Sequence, residues 1–274
     1  MMRKIGEVAG NGSPAVVPTP RRMTIDSIRE AEQTKAERVV LYGPEGIGKT
    51  WWANQWENPV FLAVEDGLKG IEPKPQAFPE PQNWQDILDA IDILRLESHD
   101  FKTLVIDTAD WVEALCQTYL LKRDNETSIE GYGYGKGYVL SSEEWRRLIS
   151  VVNKLHREKS MNIVVLAHSS VQTFSNPLGI NYDRFQMKMD KRICALLKEW
   201  SDAVLFANYE ILVDAKKKQA KGKAYGGDKF IHAFHTPGFD AKNRYGITDP
   251  IPMEFKAFWK YVEGGKTDET KSAA

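Results

Sequence analysis

Val39-Val40-Leu41-Tyr42-Gly43-Pro44-Glu45-Gly46-Ile47-Gly48-Lys49-Thr50 is the stretch from which the rest of the chain is read. An apolar run that meets glycine and proline at once predicts a buried strand delivering the chain into a loop. That loop fits G-x-x-x-x-G-K-[ST] at each fixed position. Its glycines let successive backbone N–H groups turn around an anion, and the helix that follows adds partial positive charge. Lys49 brings a mobile cation and Thr50 a hydroxyl for magnesium. Gly43 to Thr50 are thus the expected nucleotide-binding residues, with ATP and Mg2+ as the expected cofactors.

Further apolar runs end in polar residues. Val60-Phe61-Leu62-Ala63-Val64 stops at Glu65, Thr103-Leu104-Val105-Ile106 at Asp107, and Asn162-Ile163-Val164-Val165-Leu166-Ala167 at His168. In an open α/β sheet ligands sit at the carboxyl ends of the strands, so these side chains are expected around the same crevice. Glu65 is placed to act as a base toward water, Asp107 to share a metal with Thr50, and His168 to sense the terminal phosphate. Ala203-Val204-Leu205-Phe206-Ala207 supplies a fifth strand.

The remaining composition is that of an ordinary soluble protein. With 274 residues, 42% of them apolar, 27% charged and a formal net charge of -1, any polyanion surface has to be a local patch. No apolar run approaches membrane-spanning length and the N-terminus lacks the apolar centre of a secretory signal, so a cytoplasmic location and no membrane partner are expected. Cys116 and Cys194 are isolated within apolar helical patterns and predict buried free thiols.

Periodicity places helices between the strands. Trp84, Ile87, Leu88, Ile91 and Leu94 mark one, and Trp111, Leu115 and Tyr119 the stripe of the next. Ser141 with Glu144 reads as a capping box opening a third, whose inner face holds Trp145, Leu148, Ile149, Val152 and Leu155. Glu130 to Tyr138, with glycine at alternate positions, predicts an irregular loop in which Tyr132, Tyr134 and Tyr138 offer faces to bases and Lys136 a charge to phosphate. Val171 to Lys188 reads as a second loop, carrying Arg184 and Lys188. Ile211-Leu212-Val213 and Phe230 to Phe234 predict a C-terminal hairpin around the lysine-rich tip at Lys216 to Lys223. Residues 1–36 read as a mobile arm, 37–261 as one domain and 262–274 as a disordered tail.

These motifs resemble the RecA-like core of the P-loop AAA/RecA superfamily. The likeness extends to phage-encoded nucleotide-binding ATPases of that superfamily, some of which act as single-strand annealing recombinases. The resemblance implies an α/β fold, a mostly parallel sheet with helices on both faces and an antiparallel C-terminal hairpin extension. It implies Glu65 as the catalytic glutamate, Asp107 as the magnesium aspartate and His168 at the position where RecA senses the γ-phosphate through glutamine. Glu130 to Tyr138 and Val171 to Lys188 fall where RecA has its DNA-contacting loops, so Tyr132, Tyr134, Lys136, Tyr138, Arg184 and Lys188 are the implied DNA contacts. Asp240-Ala241-Lys242-Asn243-Arg244-Tyr245-Gly246 is similar to the Lys-x-Arg finger of hexameric helicases, which implies that Lys242 and Arg244 complete a neighbouring subunit's site in a homo-oligomer.

The expected activity is ATP hydrolysis coupled to single-stranded DNA in recombination, annealing or repair, alongside a single-strand-binding or recombination protein. The alternatives are a P-loop kinase acting on a small molecule and an ATP-switched protein-binding module without DNA contact. Strand order separates the kinase: there the strands ending at Tyr42 and Ile106 are neighbours, whereas in a RecA-like sheet the strand ending at Ala167 lies between them.

Overall fold

The computed structural model describes residues 24–28, 36–214, 219–222 and 227–272. The chain divides into residues 1–33, whose described part is a 3-10 turn at Ile25–Ser27, and residues 34–274, which hold the elements below. The lysine-rich tip lies largely outside the described residues, as does most of the expected arm.

Strand β1 (Arg38–Gly43) is buried along its length except at its first residue, as a strand covered on both faces must be. It runs parallel to β5 (Asn162–Phe174) on one side and to β7 (Ala203–Tyr209) on the other. Beyond β5 come β4 (Thr103–Asp107), β2 (Pro59–Ala63) and the short β3 (Gln76–Ala77), all parallel. Beyond β7 come the antiparallel β10 (Lys229–His232) and β11 (Ile251–Pro252). The order β11-β10-β7-β1-β5-β4-β2-β3 sets β5 between β1 and β4. This is the RecA-like arrangement and rules out the kinase order.

Alternate residues of β1 feed opposite core layers, as the two-residue period of a strand requires. Val40 and Tyr42 meet α2 (Trp84–Leu96), α3 (Ala109–Asp124), α4 (Lys136–Lys159) and α5 (Lys191–Trp200), while Val39 and Leu41 meet α1 (Lys49–Ala53) and α6 (Phe255–Ser272). The second layer is aromatic: Trp52 and Trp56 pack edge to face at 5.7 Å and both touch Phe258. Cys116 and Cys194 are buried free thiols.

The structure corrects several local expectations. The glycine and tyrosine segment is not an irregular loop throughout, because α4 begins at Lys136, leaving Ser141 buried inside the helix. Gly137 is there for close packing: a Cβ would stand 2.4 Å from the Ile129 carbonyl oxygen. On α3 the buried stripe is Val112, Cys116 and Leu120, and Trp111 is exposed. Val171 to Lys188 is a β-hairpin, since β5 runs on to Phe174 and pairs with β6 (Tyr182–Met187). The C-terminal hairpin pairs differently too: β8 (Ile211–Asp214) joins β9 (Gln219–Gly222), and β10 returns to β7. Helix α6 runs from Phe255 to Ser272, and Val262 is buried in the core.

Candidate functional site at the carboxyl edge of the sheet

The phosphate loop leaves β1 at Gly43, where β7 crowds the backbone so closely that a Cβ would lie 2.4 Å from Ala207 O. Gly46 and Gly48 take φ of +73° and +107°, which L side chains rarely adopt, and so let the loop fold back on itself. Lys49 is buried, and its ammonium donates to the Gly43 and Pro44 carbonyls at 3.1 and 3.0 Å. Burial pulls its pKa down, and Asp107, Glu65, Glu45 and Asp110 oppose that pull. Four carboxylates thus act on the charge of the loop's cation.

Asp107 arrives at the end of β4. Its Oδ2 accepts the Thr50 hydroxyl at 2.8 Å, while Oδ1 is buried with no hydrogen-bond partner. Burial drives the carboxyl up to about 6, against the lowering effects of the Thr50 hydrogen bond, Lys49 and His168. A buried carboxylate oxygen left without a donor, beside a hydroxyl and a phosphate loop, fits a hard cation that takes oxygen ligands. Thr50 and Asp107 are the residues that would hold magnesium.

The register sets His168 of β5 directly beside Gly43 of β1. Its imidazole Nδ1 lies 2.9 Å from Asp110 Oδ2, its backbone N–H donates to Asp110 Oδ1 at 3.1 Å, and its Nε2 is 3.9 Å from Glu65 Oε1. The hydrogen bond to Asp110 raises the His168 pKa despite desolvation. For Asp110 burial pushes the other way, but the His168 bonds outweigh it and hold the carboxyl below its ordinary value. A carboxylate, an imidazole and a second carboxylate therefore stand in a row, its central residue paired with the first glycine of the phosphate loop. Sequence reading missed Asp110; its signal was the aspartate in the first turn of α3, three residues past Asp107.

The structure brings Lys49, Thr50, Glu65, Asp107 and His168 together, and the family comparison gives this grouping its context. The AAA domain model AAA_24 matches residues 35–245. The chain belongs to this AAA domain family. A curated relative of this AAA domain, the SPbeta prophage-derived uncharacterized protein YorG of Bacillus subtilis (strain 168), is 22% identical over 236 residues. That alignment covers 83% of this chain and 65% of the relative, so the chain spans just under two thirds of the relative's length. Among solved structures, the crystal structure of the RadB recombinase aligns with a TM-score of 0.45 and 13% identity, over 81% of this chain and 89% of that one.

Other expected site residues of the AAA domain lie elsewhere. Lys242 and Arg244 are at the amino end of β7, across the sheet from the phosphate loop. Lys242 bridges Val204, and its ammonium reaches the carbonyls of Lys198, Glu199 and Ser201 at 2.7, 3.3 and 2.8 Å. Arg244 pairs with Asp202 at 3.0 Å, and Asp202 also holds Arg38. Arg184 is buried, paired with Asp240 and stacked over Phe174, which corrects the expectation of a guanidinium facing DNA. The Tyr132 hydroxyl is tied to Leu120 O and Asp124, and that of Tyr138 to Glu130. Tyr134, Lys136 and Lys188 are exposed. A cavity of about 580 Å³ is lined by Phe185, Phe206, Phe230, His232 and Phe239, with Asn208 and Tyr209 from the carboxyl end of β7. No helix among the described residues is long and apolar enough to cross a membrane.

Proposed function

We propose that this AAA domain binds Mg-ATP, hydrolyses it, and uses the state of the nucleotide to control a grip on single-stranded DNA in phage-type recombination, annealing or repair. The observation carrying the catalytic part is the convergence of Lys49, the Thr50–Asp107 pair and the Asp110–His168–Glu65 row on one strand edge. Phosphoryl transfer asks a protein mainly for position and charge, and each has a residue here. Lys49 and the loop amides hold phosphate, Glu65 orients the attacking water, and His168 reads the terminal phosphate while Asp110 fixes its ring. Magnesium held by Thr50 and Asp107 would supply positive charge to the phosphates.

The DNA part draws on the exposed Tyr134, Lys136 and Lys188, and a prophage relative agrees with a phage setting. Lys242 and Arg244 point to no phosphate loop in their own chain, so they serve catalysis only in a second copy, with Lys242 leaving its carbonyl partners. A second reading, ATP-switched protein binding without DNA, is favoured by the intramolecular ties of Tyr132, Tyr138 and Arg184.

Phosphate release measured against protein concentration, with and without single-stranded DNA, tests these together. The proposal expects a rate per chain that climbs with concentration and with DNA, and no turnover in Lys49→Ala. Parental turnover in Lys49→Ala sinks the catalytic assignment. A flat concentration dependence removes the trans cations, and DNA that binds in no nucleotide state at any salt leaves the protein-binding reading.

A further inference from the structure

We infer that Lys229 is a positioning residue of the phosphate loop, reaching across from β10 to hold the Ile47–Gly48 peptide with its N–H turned toward bound phosphate. The inference rests on the nucleotide-binding reading and adds a residue that none of the loop's own sequence contains. Lys229 pairs in register with Tyr209, and its ammonium donates to Ile47 O at 2.8 Å, a contact 182 residues apart in sequence. It also stands 3.8 Å from where a Gly48 Cβ would be and 5.8 Å from the centre of the Tyr209 ring.

The physics follows from the peptide plane. Among the described residues the cis bonds are Glu72–Pro73 and Asp107–Thr108, so Ile47–Gly48 is trans. In a trans peptide the C=O and N–H point in opposite directions. Holding the Ile47 carbonyl against Lys229 therefore turns the Gly48 amide away from Lys229, and a phosphate loop works by turning such amides inward. The peptide needs an anchor, because it sits beside Gly48 and close to Gly46, both at positive φ, where glycine leaves the backbone free to rotate. A charge-assisted hydrogen bond is a stronger anchor than a neutral one. It also polarises the same peptide unit, making its N–H a better donor. No carboxylate of the described residues lies within ion-pair distance of Lys229, so its charge adds to that of Lys49 and favours an anion on the loop.

The test is nucleotide affinity in Lys229→Ala and Lys229→Arg, measured by titrating the full chain with fluorescent ADP and ATP analogues, beside thermal melting without nucleotide and steady-state turnover. Lys229→Ala is expected to weaken both nucleotides about tenfold, with the loss falling on KM more than on kcat and melting lowered by only about 2 to 4 °C. Lys229→Arg, which still donates to the carbonyl, restores most of the affinity. Unaltered affinity in Lys229→Ala, or an arginine variant as weak as the alanine one, overturns the inference. A parental chain that binds neither analogue sinks the nucleotide reading itself, so the two failures are told apart.

Discussion

Thr50 donates its hydroxyl to Asp107 across 2.8 Å, joining the last residue of the phosphate loop to the end of a strand two places away in the sheet. The pair leaves the other Asp107 oxygen buried without a donor. A fold keeps such a group at a cost to its own stability, and the cost makes a prediction.

Asp107→Asn should be more stable than the parent in metal-free buffer near neutral pH, yet inactive. Burial raises the Asp107 pKa from 3.8 to about 6. The folded state thus binds the proton more tightly than the unfolded state. The stabilisation is complete below 3.8 and is lost as pH rises through about 6. The amide escapes that loss and still accepts from Thr50, a gain on the order of 1 kcal/mol in thermal or urea unfolding at pH 8. Hydrolysis should fall by about a hundredfold or more, because the metal loses its fixed carboxylate. A variant less stable than the parent at pH 8 would contradict the desolvation account.

Asp110→Asn should lower the His168 pKa. The bond from Asp110 raises it above 6.5, so the imidazolium stabilises the fold fully below 6.5, and that contribution fades as pH rises through the folded value. Titration of the imidazole protons by NMR should move to lower pH in the variant, and the pH dependence of melting should flatten near neutrality. An unmoved titration would mean that Asp110 only packs against the ring.

Glu65→Gln should keep ATP affinity within about threefold and slow hydrolysis by about a hundredfold, since the amide holds position but cannot draw a proton from water. Single-turnover phosphate release separates the two effects. Equal losses in binding and turnover would remove Glu65 from the chemistry.

Gly137→Ala should cost about 2 to 3 kcal/mol in urea unfolding, because its Cβ would drive into the Ile129 carbonyl oxygen at the start of α4. A flexible loop would tolerate the same change with little loss. Equal stability of the two proteins would return the segment to that description.

Arg184→Ala and Lys136→Ala should fail in different assays. Arg184 is buried against Asp240, which keeps Lys198 at 2.9 Å, so its loss removes one of that carboxylate's cations and the packing on Phe174 and should cost about 1 to 3 kcal/mol of stability. Lys136 is exposed, so its loss should leave melting unchanged and lower the salt slope of single-strand binding by about one. Arg184→Ala that melts like the parent but loses DNA affinity would reverse the assignment of Arg184.

The sheet and the site core were legible because strand ends and loop motifs are local signals. Val39 to Thr50, Glu65, Asp107 and His168 each announce themselves as an apolar run stopping at a polar residue. What escaped was set by contacts distant in sequence. Arg184 looked like a loop cation until Asp240 was seen opposite it, and Lys229 carries no local signal, because its contact with the phosphate loop depends on β10 lying beside β7. Gly137 misled for a related reason: glycine marks both freedom and crowding, and only the neighbour at Ile129 decides which. Lys242 has the spacing of a finger, but its chemistry in this chain is to cap the carbonyls ending α5.

Strand β5 outruns its partners. Its residues from Ile163 to His168 pair with β1 and those from Asn162 to Val165 with β4, while those from Ser169 to Phe174 pair with β6. The two halves form one continuous strand, so its far end at Phe174 stands about 20 Å beyond His168. The hairpin thus grows out of the candidate site with no loop in between.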